Sequence, residues 1–271
     1  MVPRESGRGE TEDGLVKSLA VIGASGFVGS AFVREAATAF EVTPVTRESY
    51  AALRGTAFDV VIDAAANSRK YLADEDPLMD FRLSVEHRLN TLLDFPARVH
   101  VHVSSVDVYE DLTSPETTRE DRVIDPARTS RYGFHKMLAE ELVRHYAKEW
   151  LIVRLAGMVG PGLRKNPVFD ILRGLPLRIH PDSRYQYMAT DEAAAICLSL
   201  LKAGERGRVF NVCGDGLISP REIADLSGRT MNLAELKADA VPRVVEADTE
   251  SLRSRGLARE SVHAVRAFLE R

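Results

Sequence analysis

Seven residues, Gly23-Ala24-Ser25-Gly26-Phe27-Val28-Gly29, limit the folds open to this chain more than any other stretch. They stand between a short apolar run, SLAVIG (18–23), and a segment with helical character, SAFVREAATAF (30–40). A glycine-rich turn from strand to helix lets the backbone approach a pyrophosphate. The helix that follows offers oriented N–H groups and a positive partial charge at its first turn. With 18 glycines in 271 residues, composition alone would yield roughly 0.08 GxxGxxG patterns by chance. Its placement directly after a strand and before a helix marks a dinucleotide site at the first βα unit.

The rest of the chain continues the alternation. EVTPVT (41–46) and FDVVID (58–63) predict strands, with Pro44 weakening the first. Residues 77–94 place Leu78, Phe81, Val85, Leu89, Leu92 and Leu93 at helical spacing. RVHVHVSS (98–105) alternates strictly, residues 132–149 predict an amphipathic helix, and WLIVRLAG (150–157) is a β-branched run. Short apolar strands separated by helices imply an α/β fold, a doubly wound parallel sheet covered on both faces. After Pro161 the pattern loosens: VFDILRG a short helix, LRIH (177–180) a short strand, DEAAAICLSLLKAG a helix, RVFNVCG (208–214) a strand and REIADLSG helix-like.

The expected organisation is a polar, disordered leader over 1–14, a Rossmann-type domain over 15–160, and a small C-terminal α/β lobe over 161–271. Segments around 184–214 would return to the core. The basic residues of 251–271 are interleaved with glutamates and predict a solvated helical tail.

The end of the second strand bears on the cofactor. An NAD site usually has an acid there to bind the ribose 2′-hydroxyl, whereas this chain has Val45-Thr46-Arg47. Arg47 can pair with a 2′-phosphate, so NADP(H) is favoured and NAD(H) remains possible. Tyr132 and Lys136 lie four apart on one helical face, and Ser105 closes the fourth strand, where a parallel sheet presents side chains to a ligand crevice. Hydride transfer at a carbinol or carbonyl carbon needs a proton partner at the oxygen. A tyrosine whose pKa a nearby ammonium lowers can serve, while a serine holds the oxygen and its developing charge. His135, inside the same turn, is expected to point away from the site. His100 and His102 share a strand face without a third ligand, which predicts a packed or solvent-facing pair and no metal.

Taken together, GASGFVG (23–29), VIDAAA (61–66), VSSVDVY (103–109), YGFHK (132–136), RLAGMVGPG (154–162), RYQYMATDEAA (184–194) and RVFNVCG (208–214) resemble the extended short-chain dehydrogenase/reductases, the NAD(P)-dependent epimerase/dehydratase group. The resemblance implies a nucleotide-sugar substrate and homodimers built through the helices near 77–94 and 132–149. It places catalysis on Ser105, Tyr132 and Lys136. Cofactor contacts would fall on Gly23, Ser25, Gly26, Phe27, Val28, Gly29, Arg47, Ala64, Ala65, Ala66 and Leu155 as well as Tyr132 and Lys136. Substrate contacts would fall on Ser105, Asp107 and Arg184. Val106 stands where the sugar 4,6-dehydratases carry an acid, which disfavours dehydration. The brief connection from Arg47 to Phe58 looks like the 4-keto-sugar reductases. Departures from the family pattern are Gly157, Val159, Ser84 and Glu110.

Charge and composition close off other classes. Thirty-six basic against 40 acidic residues, a net charge of −4, leave no broad footprint for nucleic acid. No run approaches the roughly 18–20 apolar residues that cross a bilayer, and two cysteines make no disulfide framework. The expected protein is a cytoplasmic oxidoreductase reducing a keto group of a nucleotide-activated sugar or related metabolite, with Tyr132 donating the proton. A nucleotide-sugar epimerase and a non-catalytic NADP sensor or scaffold are the alternatives.

Overall fold

The central sheet is built from strands whose side chains must be buried on both faces. A computed structural model describes residues 18–271; the leader expected over 1–14 lies outside those residues. The strands are β1 (Ser18–Ile22), β2 (Glu41–Val45), β3 (Phe58–Asp63), β4 (Ala97–Ser105), β5 (Glu149–Leu155), β6 (Gly157–Val159), β7 (Arg184–Tyr185), β8 (Tyr187–Ala189), β9 (Arg208–Val212) and β10 (Val244–Val245). Six of them form a wholly parallel sheet in the order β2-β1-β3-β4-β5-β9. Pro44 is accommodated because β2 is an edge strand, so no neighbour needs its missing N–H. The order reverses beside β1, and open α/β sheets bind ligands beyond the carboxyl ends of strands at such a reversal.

The helices are α1 (Gly29–Ala36), α2 (Tyr50–Leu53), α3 (Leu72–Glu75), α4 (Pro77–Phe81), α5 (His87–Asp94), α6 (Arg131–Tyr146), α7 (Pro167–Arg173), α8 (Thr190–Lys202), α9 (Pro220–Ser227), α10 (Glu250–Arg253) and α11 (Ser261–Leu269). The helix expected over 77–94 is continuous but changes gauge: a π-helical turn, Arg82–Glu86, joins α4 to α5. Asp76 starts α4 by accepting a hydrogen bond from Met79 N at 2.9 Å, with Pro77 at its first position. Ser130 caps α6 through Gly133 N at 3.0 Å. That helix stops at Tyr146 because β5 begins at Glu149.

One face of the sheet is covered by α1 and α8. There Leu19, Val21, Val60, Ile62, Val99, Val101, Leu151, Val153, Phe210 and Val212 meet Phe32, Ala193, Cys197 and Leu201 in a dry core. A second buried cluster gathers Val159, Val168, Ile171, Leu177, Tyr187, Ile218, Ile223 and Val265 around the small β6–β8 pair. Residues 190–202 and 208–212 pack into the main core, whereas β7 and β8 pair within the small sheets.

Two expectations fail. LRIH is no strand: Leu177 N donates to Asn232 O at 2.8 Å, a loop partner that offers no ladder to extend. The C-terminal stretch is no solvated tail, because α11 buries Ala264 and Val265 in the second cluster. Ser261, also buried, donates to Gly216 O at 2.7 Å and accepts from Tyr187 N at 3.0 Å.

Candidate active site

The glycine loop has no room for side chains. Gly23 has φ +78°, and a Cβ there would lie 3.0 Å from Ala65; a Cβ on Gly29 would overlap the Gly23 carbonyl, and one on Gly26 would approach it to 3.0 Å. The loop is tied down as Gly23 N and Ala24 N donate to Val45 O at 3.0 and 3.2 Å. No side chain caps α1; Ser30 N and Ala31 N instead turn back onto Gly26 O and Val28 O at 3.0 and 3.1 Å, with Ser25 exposed and Phe27 and Val28 half-buried in the loop before them. This cradle fits a pyrophosphate. Ala64, Ala65 and Ala66 form the opposite wall: Ala64 N donates to Ile22 O at 3.1 Å and Ala65 N to Asp63 Oδ1 at 2.9 Å. Arg47 is exposed at the end of β2, after a turn in which Thr46 N donates to Ser49 Oγ at 2.9 Å. Leu155 is buried at the end of β5, in register with Ser105.

Ser105 ends β4 and caps the short 3₁₀ turn Val106–Val108, accepting from Asp107 N at 3.2 Å. Its hydroxyl donates to Asp107 Oδ2 at 2.8 Å. The α6 helix is pressed onto this turn at Gly133, where any Cβ would overlap the Asp107 carbonyl. That contact brings Tyr132 and Lys136 within the field of Asp107, which takes the Ser105 hydroxyl. Lys136 Nζ sits over the Tyr132 ring, 5.2 Å from its centroid. Burial, then the charge of Arg88, pushes the Lys136 ammonium down to about 8. The Tyr132 hydroxyl moves opposite to expectation. Burial pushes it up, and the carboxylates of Asp107 and Asp80 add to this.

Beneath these groups lies a buried polar frame that sequence reasoning missed. The Tyr132 hydroxyl donates to the Asn67 carbonyl at 3.2 Å. Asn67 Nδ2 donates to Asp80 Oδ1 at 2.6 Å, and Asp80 Oδ2 meets His135 Nδ1 at 2.7 Å. His135 does turn from Ser105, but into this chain, with the Phe81 ring edge-on against it. Ser84, at the family's asparagine position, donates to Asp80 Oδ1 at 3.4 Å. Asp63 pairs with Arg88 across the end of β3, both fully buried. Burial pushes the Asp63 carboxyl up, yet Arg88 and His87 outweigh it and hold the group well below the usual carboxylate range. His100 and His102 lie on the same face, buried as a packed pair. No group of three potential metal ligands occurs among the described residues.

Other outcomes are local. Gly157 is required by close packing, since a Cβ would lie 2.6 Å from Gln186 O and 2.9 Å from the Tyr187 ring. Glu110 accepts from Asp125 N and pairs with Arg122 at 3.3 Å. Arg184, on β7, is exposed. Lys70 and Lys165 also reach the site: Lys70 Nζ pairs with Asp107 Oδ1 at 2.6 Å, and Lys165 Nζ donates to Ser68. No periodicity or motif singles out either lysine.

Comparison with known proteins agrees with this geometry. A family model described as the NAD dependent epimerase/dehydratase family matches residues 19–213. GDP-6-deoxy-D-mannose reductase of Pseudomonas aeruginosa is 25% identical over 242 residues, covering 78% of this chain and 79% of that one. A UDP-galactose 4-epimerase structure superposes with a TM-score of 0.74 at 25% identity, covering 93% of this chain and 97% of the other. The dTDP-4-dehydrorhamnose reductase of Bacillus anthracis, solved with NADP, shares the fold with a TM-score of 0.77 at 16% identity over 96% and 99% of the two chains.

Proposed function

We propose that this chain, which belongs to the NAD dependent epimerase/dehydratase family, reduces a keto group of a nucleotide-activated sugar with NADPH, Tyr132 donating the proton. The observation that carries the reading is the seam at Gly133, which presses α6, the helix of Tyr132 and Lys136, onto Asp107, the residue that takes the Ser105 hydroxyl at the carboxyl edge of the sheet. The glycine loop, the Ala64–Ala66 wall, Leu155 and Arg47 would hold the dinucleotide, whose nicotinamide supplies the hydride when bound. The absence of an acid at Thr46-Arg47 supports the phosphorylated form.

The chain's own groups do the proton work. A tyrosine hydroxyl pushed up stays protonated at neutral pH and is suited to give its proton to a carbonyl oxygen that is gaining charge. Lys136, buried and close to that ring, stabilises the tyrosinate left behind. Ser105, turning its hydroxyl from Asp107 toward the substrate oxygen, adds a second donor. Reprotonation of Tyr132 completes the cycle.

The homodimer implied by the resemblance has a suitable surface: Leu78, Met79, Phe81 and Leu83 along α4 and the π turn are exposed apolar side chains. Among the described residues no helix is long and apolar enough to cross a membrane. The test is NADPH consumption with a panel of nucleotide-linked keto sugars. Tyr132→Phe should lower turnover by about 10²–10⁴-fold while NADPH still binds. Unchanged turnover would remove Tyr132 from the chemistry. Tighter binding of NADH than of NADPH would remove Arg47 from cofactor choice. The similarity to UDP-galactose 4-epimerase makes epimerisation the second reading, recognised by conversion without stoichiometric NADPH loss.

A further inference from the structure

The mouth of the candidate site holds more positive charge than reduction of a neutral sugar uses. Lys70 Nζ pairs with Asp107 Oδ1 at 2.6 Å, while Asp107 Oδ2 accepts the Ser105 hydroxyl at 2.8 Å. One carboxylate therefore separates the Lys70 ammonium from Ser105. Lys165, in the loop before α7, reaches back to the core, its ammonium donating to the Ser68 carbonyl and to Ser68 Oγ at 3.1 Å. Ser68 follows Asn67, whose carbonyl accepts the Tyr132 hydroxyl at 3.2 Å, and precedes Arg69, which is exposed. Arg69 and Lys70 thus lie on a four-residue segment, Asn67 to Lys70, that Lys165 joins from outside and that reaches Tyr132 directly and Ser105 through Asp107. Among the described residues Asp107 is the only carboxylate ion-paired with any of the three. Burial and the charges of Arg69 and Lys70 push the Lys165 ammonium down, as crowding of like charges requires.

Three cations against one carboxylate leave an excess of two positive charges next to the reacting position. The diphosphate of a nucleotide sugar hangs from the anomeric carbon, at a different ring position from the carbonyl being reduced. What remains unanswered is the charge beside Ser105. We infer that the sugar of the preferred substrate itself carries a carboxylate near its reacting carbonyl, held between Lys70 and Lys165. This rests on the nucleotide-sugar reading above. Lys70 and Lys165 come from segments far apart in the chain that meet at Ser68, so a carboxylate between them would also replace the contact that Lys165 now makes with Ser68. Asp107 keeps Lys70 extended toward Ser105 until the ligand arrives.

The experiment compares matched ligands that differ only in this group, UDP-glucuronate against UDP-glucose and GDP-mannuronate against GDP-mannose. Binding is measured by calorimetry on the NADP-loaded protein. At least one uronate should bind at least tenfold more tightly than its neutral partner. Lys70→Met/Lys165→Met, shown to be folded by unchanged NADPH binding, should bring that ratio to about one. Equal binding of both members in the unaltered protein overturns the inference and leaves the nucleotide-sugar reading standing. A ratio that survives the double substitution also overturns it, placing the carboxylate elsewhere. Failure of all four ligands to bind, with NADPH still bound, overturns the inference and the nucleotide-sugar reading together.

Discussion

At β4 and β5 the two faces of the central sheet are built by opposite rules, whereas at β1 and β3 both faces are apolar. Under α1 and α8, strands β4 and β5 present Val99, Val101, Leu151 and Val153 to Phe32, Ala193 and Leu201, and the layer is held by exclusion of water alone. Under α5 and α6 the same strands present His100, His102, Ser104 and Arg154, all buried. There Ser104 and Arg154 are held by a named partner, while both ring nitrogens of His102 are buried without one. Ser104 donates to Glu140 at 2.7 Å, and Glu140 takes both Arg154 Nε at 2.9 Å and Nη2 at 2.7 Å. Asp63 takes Arg88. The polar face is the one that delivers Tyr132 and Lys136. Charged groups near a reacting centre need fixed, dry partners, and such partners cost desolvation that a purely apolar layer avoids.

The sharpest break in this contrast is Arg88→Met. It leaves the Asp63 carboxyl buried without its partner and should cost about 4 kcal/mol in urea unfolding. Asp63→Leu/Arg88→Met should recover most of that, because the pair as a whole contributes little net stability. If the single variant is nearly neutral, the guanidinium is not holding a charge and the polar face is wetter than the structure indicates. On the opposite face, Leu151→Ala removes a fully buried side chain and should cost about 3 kcal/mol through lost contacts and a cavity. Its loss should be the same at pH 7 and pH 5, since Leu151 is packed among apolar side chains in that layer.

The contrast also explains what the sequence made legible. The glycine loop was readable because its determinants are mostly local: Gly26 and Gly29 must avoid the Gly23 carbonyl within seven residues, and Gly23 itself takes a positive φ. Tyr132 and Lys136 were readable through helical spacing, and Ser105 through the end of its strand. The alternation in RVHVHVSS ordinarily marks one wet face, and here it does not. Both faces are covered, and the polar one is paid for by residues far away in the chain. Asp63 finds Arg88 25 residues on, and Asp80 finds His135 after 55. Lys165 reaches Ser68 across 97 residues. No periodicity encodes such pairings, because each depends on where two elements come to rest after the sheet has formed. The same holds for the raised Tyr132 hydroxyl: sequence supplied the adjacent lysine, while the burial and the two carboxylates came from tertiary structure.

The smallest effect sharpens the comparison most cleanly, because it separates the faces by pH alone. His100 is buried, and burial followed by the charge of Arg88 pushes it down to about 4. In the unfolded chain it titrates near 6.5. Between those values the unfolded state binds a proton that the folded state refuses, so stability falls as pH drops from 6.5 toward 4. The loss reaches about 2 kcal/mol at pH 5 for this one ring, from 1.4 kcal/mol per unit of pH below 6.5. His100→Leu should therefore flatten the difference in unfolding free energy between pH 7 and pH 5 by about that amount, while Leu151→Ala lowers both values in parallel. A variant that keeps the full pH dependence would show a ring that takes up its proton in the folded state. The face beneath α5 and α6 would then be hydrated where His100 sits, and the difference between the two layers would narrow to the ion pairs at Asp63 and Glu140.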